Sequence, residues 1–199
     1  MSVAESNKRL SEAAFLQFER HAEGKSEFFE GEVFAMAGGT RTHSLIAANL
    51  TRELGNLLKG RPCFTYNADL RVKVEATGLL TYPDVSVACE PQRFLDAEED
   101  TLLNPILIGE VLSDSTEAYD RGKKFAHYRL ISSLRHFLLV SQKEPRAELF
   151  SHAGGEEWRL REAGGLDATL DLPALEITIA LSEVFAQVEF SPAAMRLHT

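Results

Sequence analysis

One acidic residue interrupts the most hydrophobic segment of the chain. In Ile106-Leu107-Ile108-Gly109-Glu110-Val111-Leu112, apolar side chains fall on both alternating faces. That is the pattern of a strand covered on both sides. Glu110 shares parity with Ile106, Ile108 and Leu112, so it points where the run is buried. A carboxylate placed there loses its hydration unless a metal ion or a charged donor compensates. The plain structural solution is a Glu–Arg or Glu–Lys pair; the other is a chemical site. Any fold for this chain has to provide one of them.

Such a run needs a core around it. The chain has 199 residues, 44% of them apolar, which suits a single domain over 1–199 of the α+β class. No stretch reaches the ~18 apolar residues of a membrane span. The N-terminal Met-Ser-Val-Ala-Glu-Ser-Asn-Lys-Arg has no apolar segment after it, so a cytoplasmic, non-membrane protein is expected. Cys63 and Cys89 are too few for a disulfide framework and are expected to be reduced. The formal charge of -9 argues against broad electrostatic capture of nucleic acid. Local capture remains open through Arg41, Lys59, Arg61, Arg71 and Lys73, and through Arg121, Lys123, Lys124 and Arg129.

Periodicity supplies the surroundings. Residues 10–22 read as a helix, and Phe28 to Phe34 as a hairpin turning at Glu30-Gly31. After Gly38-Gly39, Thr42 is a candidate cap for a helix to about Leu58. From Cys63 the period becomes two, with Leu70, Val72 and Val74 opposite Asp69, Arg71 and Lys73. Another strand over 82–89 sets Val85, Val87 and Cys89 against Asp84, Ser86 and Ala88. The acidic run from Asp96 to Asp100 reads as a solvated loop or short helix. Asp114 and Glu117 resemble a capping box for a helix extending to about Ile131. Phe137 to Val140 is a strand; Ala147–Phe150 and Trp158–Leu160, separated by Gly154-Gly155, make a peripheral antiparallel hairpin; Leu181 to Val188 is the last helix.

Asp84 follows Pro83, a residue suited to a strand start, and so stands at a strand mouth. Asp120, Lys124 and Tyr128 recur at four-residue intervals on one helix face. If exposed, the Asp120–Lys124 pair is worth only ~0.3–0.5 kcal/mol. Beside Glu110 the same face has another reading. Asp84 and Glu110 are hard oxygen ligands for Mg²⁺, with Mn²⁺ as a substitute. Lys124 is placed to reach a phosphate, with Asp120 fixing its ammonium. A bound cation activates water and neutralises developing phosphoryl charge. His43, Glu27 and Asp69 are auxiliary candidates, His43 at a helix start, Glu27 beside the hairpin with Glu32, and Asp69 on a strand neighbouring Asp84. Ordinary surface or helix-end roles fit each of them as well. The sequence contains no Gly-x-Ser-x-Gly, Walker A, zinc-finger or His-Glu-x-x-His pattern, so no organic cofactor is expected.

These segments, in their order and spacing, resemble the Uma2-like (DUF820) endonuclease family. The resemblance is carried by Glu27-Phe28-Phe29-Glu30-Gly31-Glu32-Val33, His43, Asp69-Leu70-Arg71-Val72, Tyr82-Pro83-Asp84-Val85, Glu110-Val111-Leu112-Ser113 and Asp120-Arg121-Gly122-Lys123-Lys124, and it runs over about 10–162. It implies a PD-(D/E)xK-like, restriction-endonuclease-like core: a mixed central sheet flanked by helices. It also implies Mg²⁺-dependent cleavage of DNA, with Asp84 and Glu110 at the two acidic positions and Glu27 and His43 near the cleft. The usual lysine two residues after the second acid is replaced by Leu112, and the family pattern implies Lys124 as its displaced counterpart. A homodimer is expected by analogy. The rival expectations are a non-catalytic assembly or nucleic-acid-binding protein that keeps this fold, and a hydrolase of a small phosphodiester.

Overall fold

The structure is a computed structural model and describes residues 9–191. Helix α1 (Glu12–Glu19) starts at Ser11, whose hydroxyl accepts the Ala14 N–H at 3.2 Å. The first hairpin pairs β1 (Ser26–Phe29) with β2 (Glu32–Ala35) and turns, as the sequence predicts, at Glu30-Gly31. Helix α2 (Arg41–Leu57) buries Ile46, Leu50 and Leu54. Its cap is Thr40 rather than Thr42. Thr40 has the extended backbone a cap requires, and its hydroxyl accepts the His43 N–H at 3.1 Å.

Six strands follow: β3 (Cys63–Asn67), β4 (Arg71–Val74), β5 (Leu79–Thr81), β6 (Val85–Cys89), β7 (Thr101–Leu102) and β8 (Leu107–Leu112). All six residues of β8 are buried, as its two-faced apolar pattern requires. The next helical segment is short and broken. It comprises α3 (Glu117–Tyr119), a π-helical turn (Asp120–Lys124) and α4 (Phe125–Tyr128). The capping box does not form. Asp114 pairs with Lys143 across the surface, and the Ser113 hydroxyl accepts the Thr116 N–H at 3.2 Å instead. The chain closes with β9 (His136–Ser141), β10 (Arg146–Gly154), β11 (Glu157–Gly164), β12 (Thr169–Leu172), β13 (Ile177–Ala180) and α5 (Leu181–Val184).

The strands form a mixed α+β architecture. A six-stranded sheet runs β11-β10-β9-β8-β6-β3, antiparallel except for the parallel β8–β9 pair. A five-stranded sheet runs β2-β1-β5-β4-β7, and β12 and β13 form a separate hairpin. The predicted β10/β11 hairpin lies at the edge of the large sheet. One face of that sheet, through Val85, Val87, Leu107, Val111, Leu138 and Val140, packs on α2, α5 and the β12/β13 hairpin. The other face, through Ala88, Ile108, Leu112, Phe137 and Leu139, packs on Val72, Val74, Leu79 and Leu102 of the smaller sheet and on Tyr128. Helix α1 covers the smaller sheet through Phe15 and Leu16 against Phe28 and Leu80. Among the described residues no helix is long and apolar enough to cross a membrane.

Two further expectations are corrected. Cys63 and Cys89 are directly opposed on antiparallel β3 and β6, and a disulfide joins them. Tertiary register, which two isolated cysteines do not reveal, brings the sulfurs together. The acidic run is not merely solvated: Asp96 and Asp100 bind Arg20 at 2.7 Å each, and Asp100 also takes the buried Arg71 guanidinium.

Candidate active site

The two acids named from the sequence meet because of strand register. Val85 opposes Gly109 and Ser86 opposes Ile108. Continuing that pairing by one residue sets Asp84 across from Glu110. Both then project from the face of the large sheet that looks toward the smaller one. Gly109 permits this approach. A Cβ at that position would lie 2.6 Å from Val85 Cγ1 and 3.4 Å from Leu50 Cδ2. Gly109 is therefore a point of close approach between β6, β8 and α2.

Asp84 is anchored through one oxygen. Its Oδ2 accepts the Val111 N–H at 2.7 Å and lies 3.2 Å from His43 Nε2. His43 comes from the first turn of α2, held there by the Thr40 cap. Its hydrogen bond to Asp84 raises the imidazole above its usual range, against the effect of burial; Glu110 and the Val111 backbone add to the rise. Glu110 is also held mainly through one oxygen. Its Oε1 accepts from the Tyr128 hydroxyl at 2.8 Å and lies 3.0 Å from Lys124 Nζ. Its Oε2 receives only a 3.4 Å contact from the Asp84 N–H.

Lys124 is 5% exposed and sits among three carboxylates: Glu110, Glu27 at 3.1 Å and Asp120 at 3.6 Å. Burial opposes its charge, but Glu110, Tyr128, Glu27 and Asp120 outweigh that and raise it well above the ordinary lysine range. Burial pushes the Glu110 carboxyl up; Asp84 and Asp120 add to the rise and Lys124 opposes it. Asp120 is shifted upward as well, first by burial and against Lys124, with Asp84 and Glu27 adding to the rise. The Asp120–Lys124 pair is therefore not the exposed helix pair that its spacing alone suggests.

Glu27 reaches the same place from β1. It accepts from Thr81 Oγ1 and, at 3.2 Å, from the Tyr119 hydroxyl. Asp84, Glu110, Lys124, Glu27, His43 and Asp120 thus line one cavity of about 380 Å³. Asp69 does not join them. It is on the surface, paired with Lys25 at 2.5 Å and with Asn67, because the turn before β4 directs it outward. Glu32 is also exposed, outside the pocket.

Sequence reasoning missed Thr81 and Tyr119. Thr81 precedes Tyr82-Pro83-Asp84, and its place beside the acids depends on β5 pairing with β1. Tyr119 and Lys124 are five residues apart, the spacing of a π-turn, and Lys124 Nζ lies 5.9 Å from the Tyr119 ring centre. An α-helical reading has no reason to group them.

The donors suit a hard divalent cation in part. Mg²⁺ commonly takes one or two carboxylates and completes its shell with water and phosphate oxygen. Asp84 and Glu110 offer that pair, each with its second oxygen free of short protein hydrogen bonds among the described residues. Among the described residues, no group of three or more His, Cys, Asp or Glu side chains is arranged to hold a metal ion.

A family model described as "Uma2: Putative restriction endonuclease" matches residues 13–182. The chain belongs to the Uma2 family. The match extends past the 10–162 segment that carries the sequence resemblance, reaching β12, β13 and the start of α5. Two relatives come from Synechocystis sp. (strain ATCC 27184 / PCC 6803 / Kazusa). Uncharacterized protein slr1290 is 35% identical over 182 residues, covering 92% of this chain and 94% of its own. Uncharacterized protein sll1609 is 34% identical over 177 residues, covering 89% and 100%. Among solved structures, a "putative nuclease belonging to DUF820" from Anabaena variabilis ATCC 29413 superposes with a TM-score of 0.70 at 18% identity, covering 89% of this chain and 98% of that one. At that identity the likeness shows a shared fold.

Proposed function

We propose that the pocket hydrolyses phosphodiester bonds in DNA as a divalent-cation-dependent endonuclease. The observation that carries this reading is the opposition of Asp84, at the mouth of β6, and Glu110, within the adjacent β8, with the Lys124 ammonium 3.0 Å from Glu110. Asp84 and Glu110 would hold Mg²⁺ or Mn²⁺, which supplies an activated water and charge stabilisation when bound. The chain's own groups do the positioning. His43 and the Val111 N–H fix Asp84 Oδ2, leaving its other oxygen for a ligand. Tyr128 and Lys124 fix Glu110 Oε1 in the same way. Lys124, oriented by Glu110, Glu27 and Asp120, presents positive charge to a phosphoryl oxygen in a site shielded from water.

The test is cleavage of a DNA panel in Mg²⁺ by the wild-type chain and by Asp84→Asn, Glu110→Gln and Lys124→Ala. Each folded variant is expected to lose about 100-fold or more in rate. Unchanged cleavage removes that residue from the assignment. Crystals soaked in Mn²⁺ are expected to show an anomalous peak between Asp84 and Glu110.

A second reading is a non-catalytic protein that keeps the nuclease-like fold for assembly or nucleic-acid binding. Two observations favour it: the lack of a three-ligand metal group among the described residues, and the net charge of -9. Specific binding without turnover on any DNA would support it. Selective turnover of a small phosphodiester would instead support hydrolysis of that class. The homodimer belongs to this proposal too, with sedimentation across working concentrations as its test.

A further inference from the structure

The pocket has an apolar rim that the hydrolytic groups do not use. In the β1/β2 hairpin Glu27 is the direct cross-strand partner of Phe34, so both side chains lie on the same face. Glu27 turns into the cavity and contacts Lys124. Phe34 stays at its mouth, 48% exposed. Two residues on, Met36 continues that alternation; its N–H bonds the Lys25 carbonyl at 2.9 Å, and its side chain is 37% exposed. Phe34 and Met36 line the same cavity as Asp84, Glu110 and Lys124. A solvated aromatic ring on an edge strand loses hydration favourably only if something flat or apolar covers it.

The polar groups lie below that rim. Glu110 is 4% exposed, Lys124 5% and Glu27 8%. A strand that has left the helix bends more freely than a duplex, and can bring a phosphate to groups this recessed while its base lies against the rim. Such a strand offers two chemistries together, a phosphate for the polar floor and an unstacked base for an aromatic platform.

We infer that the pocket takes an unpaired nucleic-acid strand rather than a continuous duplex, and that Phe34, backed by Met36, is the platform on which a base next to the bound phosphate stacks. This rests on the phosphodiester reading of the same pocket and specifies its substrate class. Phe34 is a specificity-determining residue here, with no part in the chemical step.

The experiment uses the full chain carrying Glu110→Gln, in Mg²⁺, and measures fluorescence anisotropy with one labelled oligonucleotide as a single strand, as a flap on a duplex and as a blunt duplex. The strand and the flap are expected to bind about tenfold or more tightly than the blunt duplex. Adding Phe34→Ala is expected to weaken strand binding about tenfold and leave duplex binding unchanged, while Phe34→Trp retains it. Phe34 is exposed, so its variants should unfold at the same temperature as their parent. Equal or tighter binding of the blunt duplex, or strand binding indifferent to Phe34→Ala, overturns the inference. Strand binding without cleavage by the wild-type chain overturns the hydrolytic reading and leaves this one standing. Cleavage of blunt duplex as fast as single strand does the reverse, and no binding of any strand removes both.

Discussion

Lys124 Nζ meets Glu110 Oε1 at 3.0 Å from a π-helical turn, while Leu112, on the strand itself, is buried in the core between the sheets. The amine therefore enters from a separate element. The same turn holds Asp120 against it and Glu27 reaches it from β1, so one ammonium faces three buried carboxylates.

Lys124→Met is expected to lower folding stability by about 3–5 kcal/mol, because it strands buried acids without their counter-charge. Urea denaturation measures this. The double variant Lys124→Met/Glu110→Gln is expected to recover part of the loss, since it also neutralises the nearest carboxylate. A Lys124→Met chain as stable as wild type contradicts the buried-charge account.

Gly109→Ala is expected to cost about 1–3 kcal/mol through overpacking. The added Cβ would meet Val85 Cγ1 at 2.6 Å, on the residue next to Asp84. Both denaturation and Mn²⁺ affinity should fall together, since β6 must shift away from β8. Loss of neither shows that the pair has slack.

His136 predicts an acid-sensitive window away from the pocket. It is buried, its Nε2 accepts the Ala174 N–H at 3.2 Å, and its Nδ1 lies 3.0 Å from Ser151 Oγ. Burial and the neighbouring Arg135 lower its pKa from 6.5 to about 4. Between those values the unfolded chain binds a proton that the native chain refuses. Stability from this group is complete above pH 6.5 and is lost as pH falls toward 4, by about 3 kcal/mol in total. Stability measured across that range should decline, and His136→Gln should flatten the decline.

Removing the Cys63–Cys89 cross-link by Cys89→Ser is expected to cost about 2–4 kcal/mol, given a separation of 26 residues. Thermal unfolding with and without reductant should show the same difference for the wild-type chain, and no reductant effect for the variant.

Much of the site was legible before any fold was known, for reasons of period and solvation. A carboxylate inside an apolar strand has to be compensated, and that singled out Glu110. Four-residue spacing put Asp120, Lys124 and Tyr128 on one face, and the π-turn left that grouping intact. Alternation set Asp84 and Val85 on opposite faces. Glu27 and His43 were auxiliary candidates whose own surroundings fit ordinary roles as well, and the family resemblance set them near the cleft. What failed was short-range polarity read in isolation. Thr40 caps α2 in place of Thr42, Asp114 reaches Lys143 instead of a helix start, and Asp69 turns outward to Lys25. Each polar group had several partners within reach of its local chain, and the packed neighbours chose among them.

The sequence by itself determined the main helices and the strands that carry the site, though not β7, β12, β13 or the π-turn, and it determined which charges need a partner, because both follow from periodicity and from the cost of removing a charge from water. Only the tertiary structure decided that Asp84 opposes Glu110, that Cys63 faces Cys89, and that Glu27 and Phe34 share one side of a hairpin above the buried lysine. Those are matters of register and of how two sheets stack. Local composition carries no record of either, since shifting a strand by one residue exchanges its faces without changing a single letter of the chain.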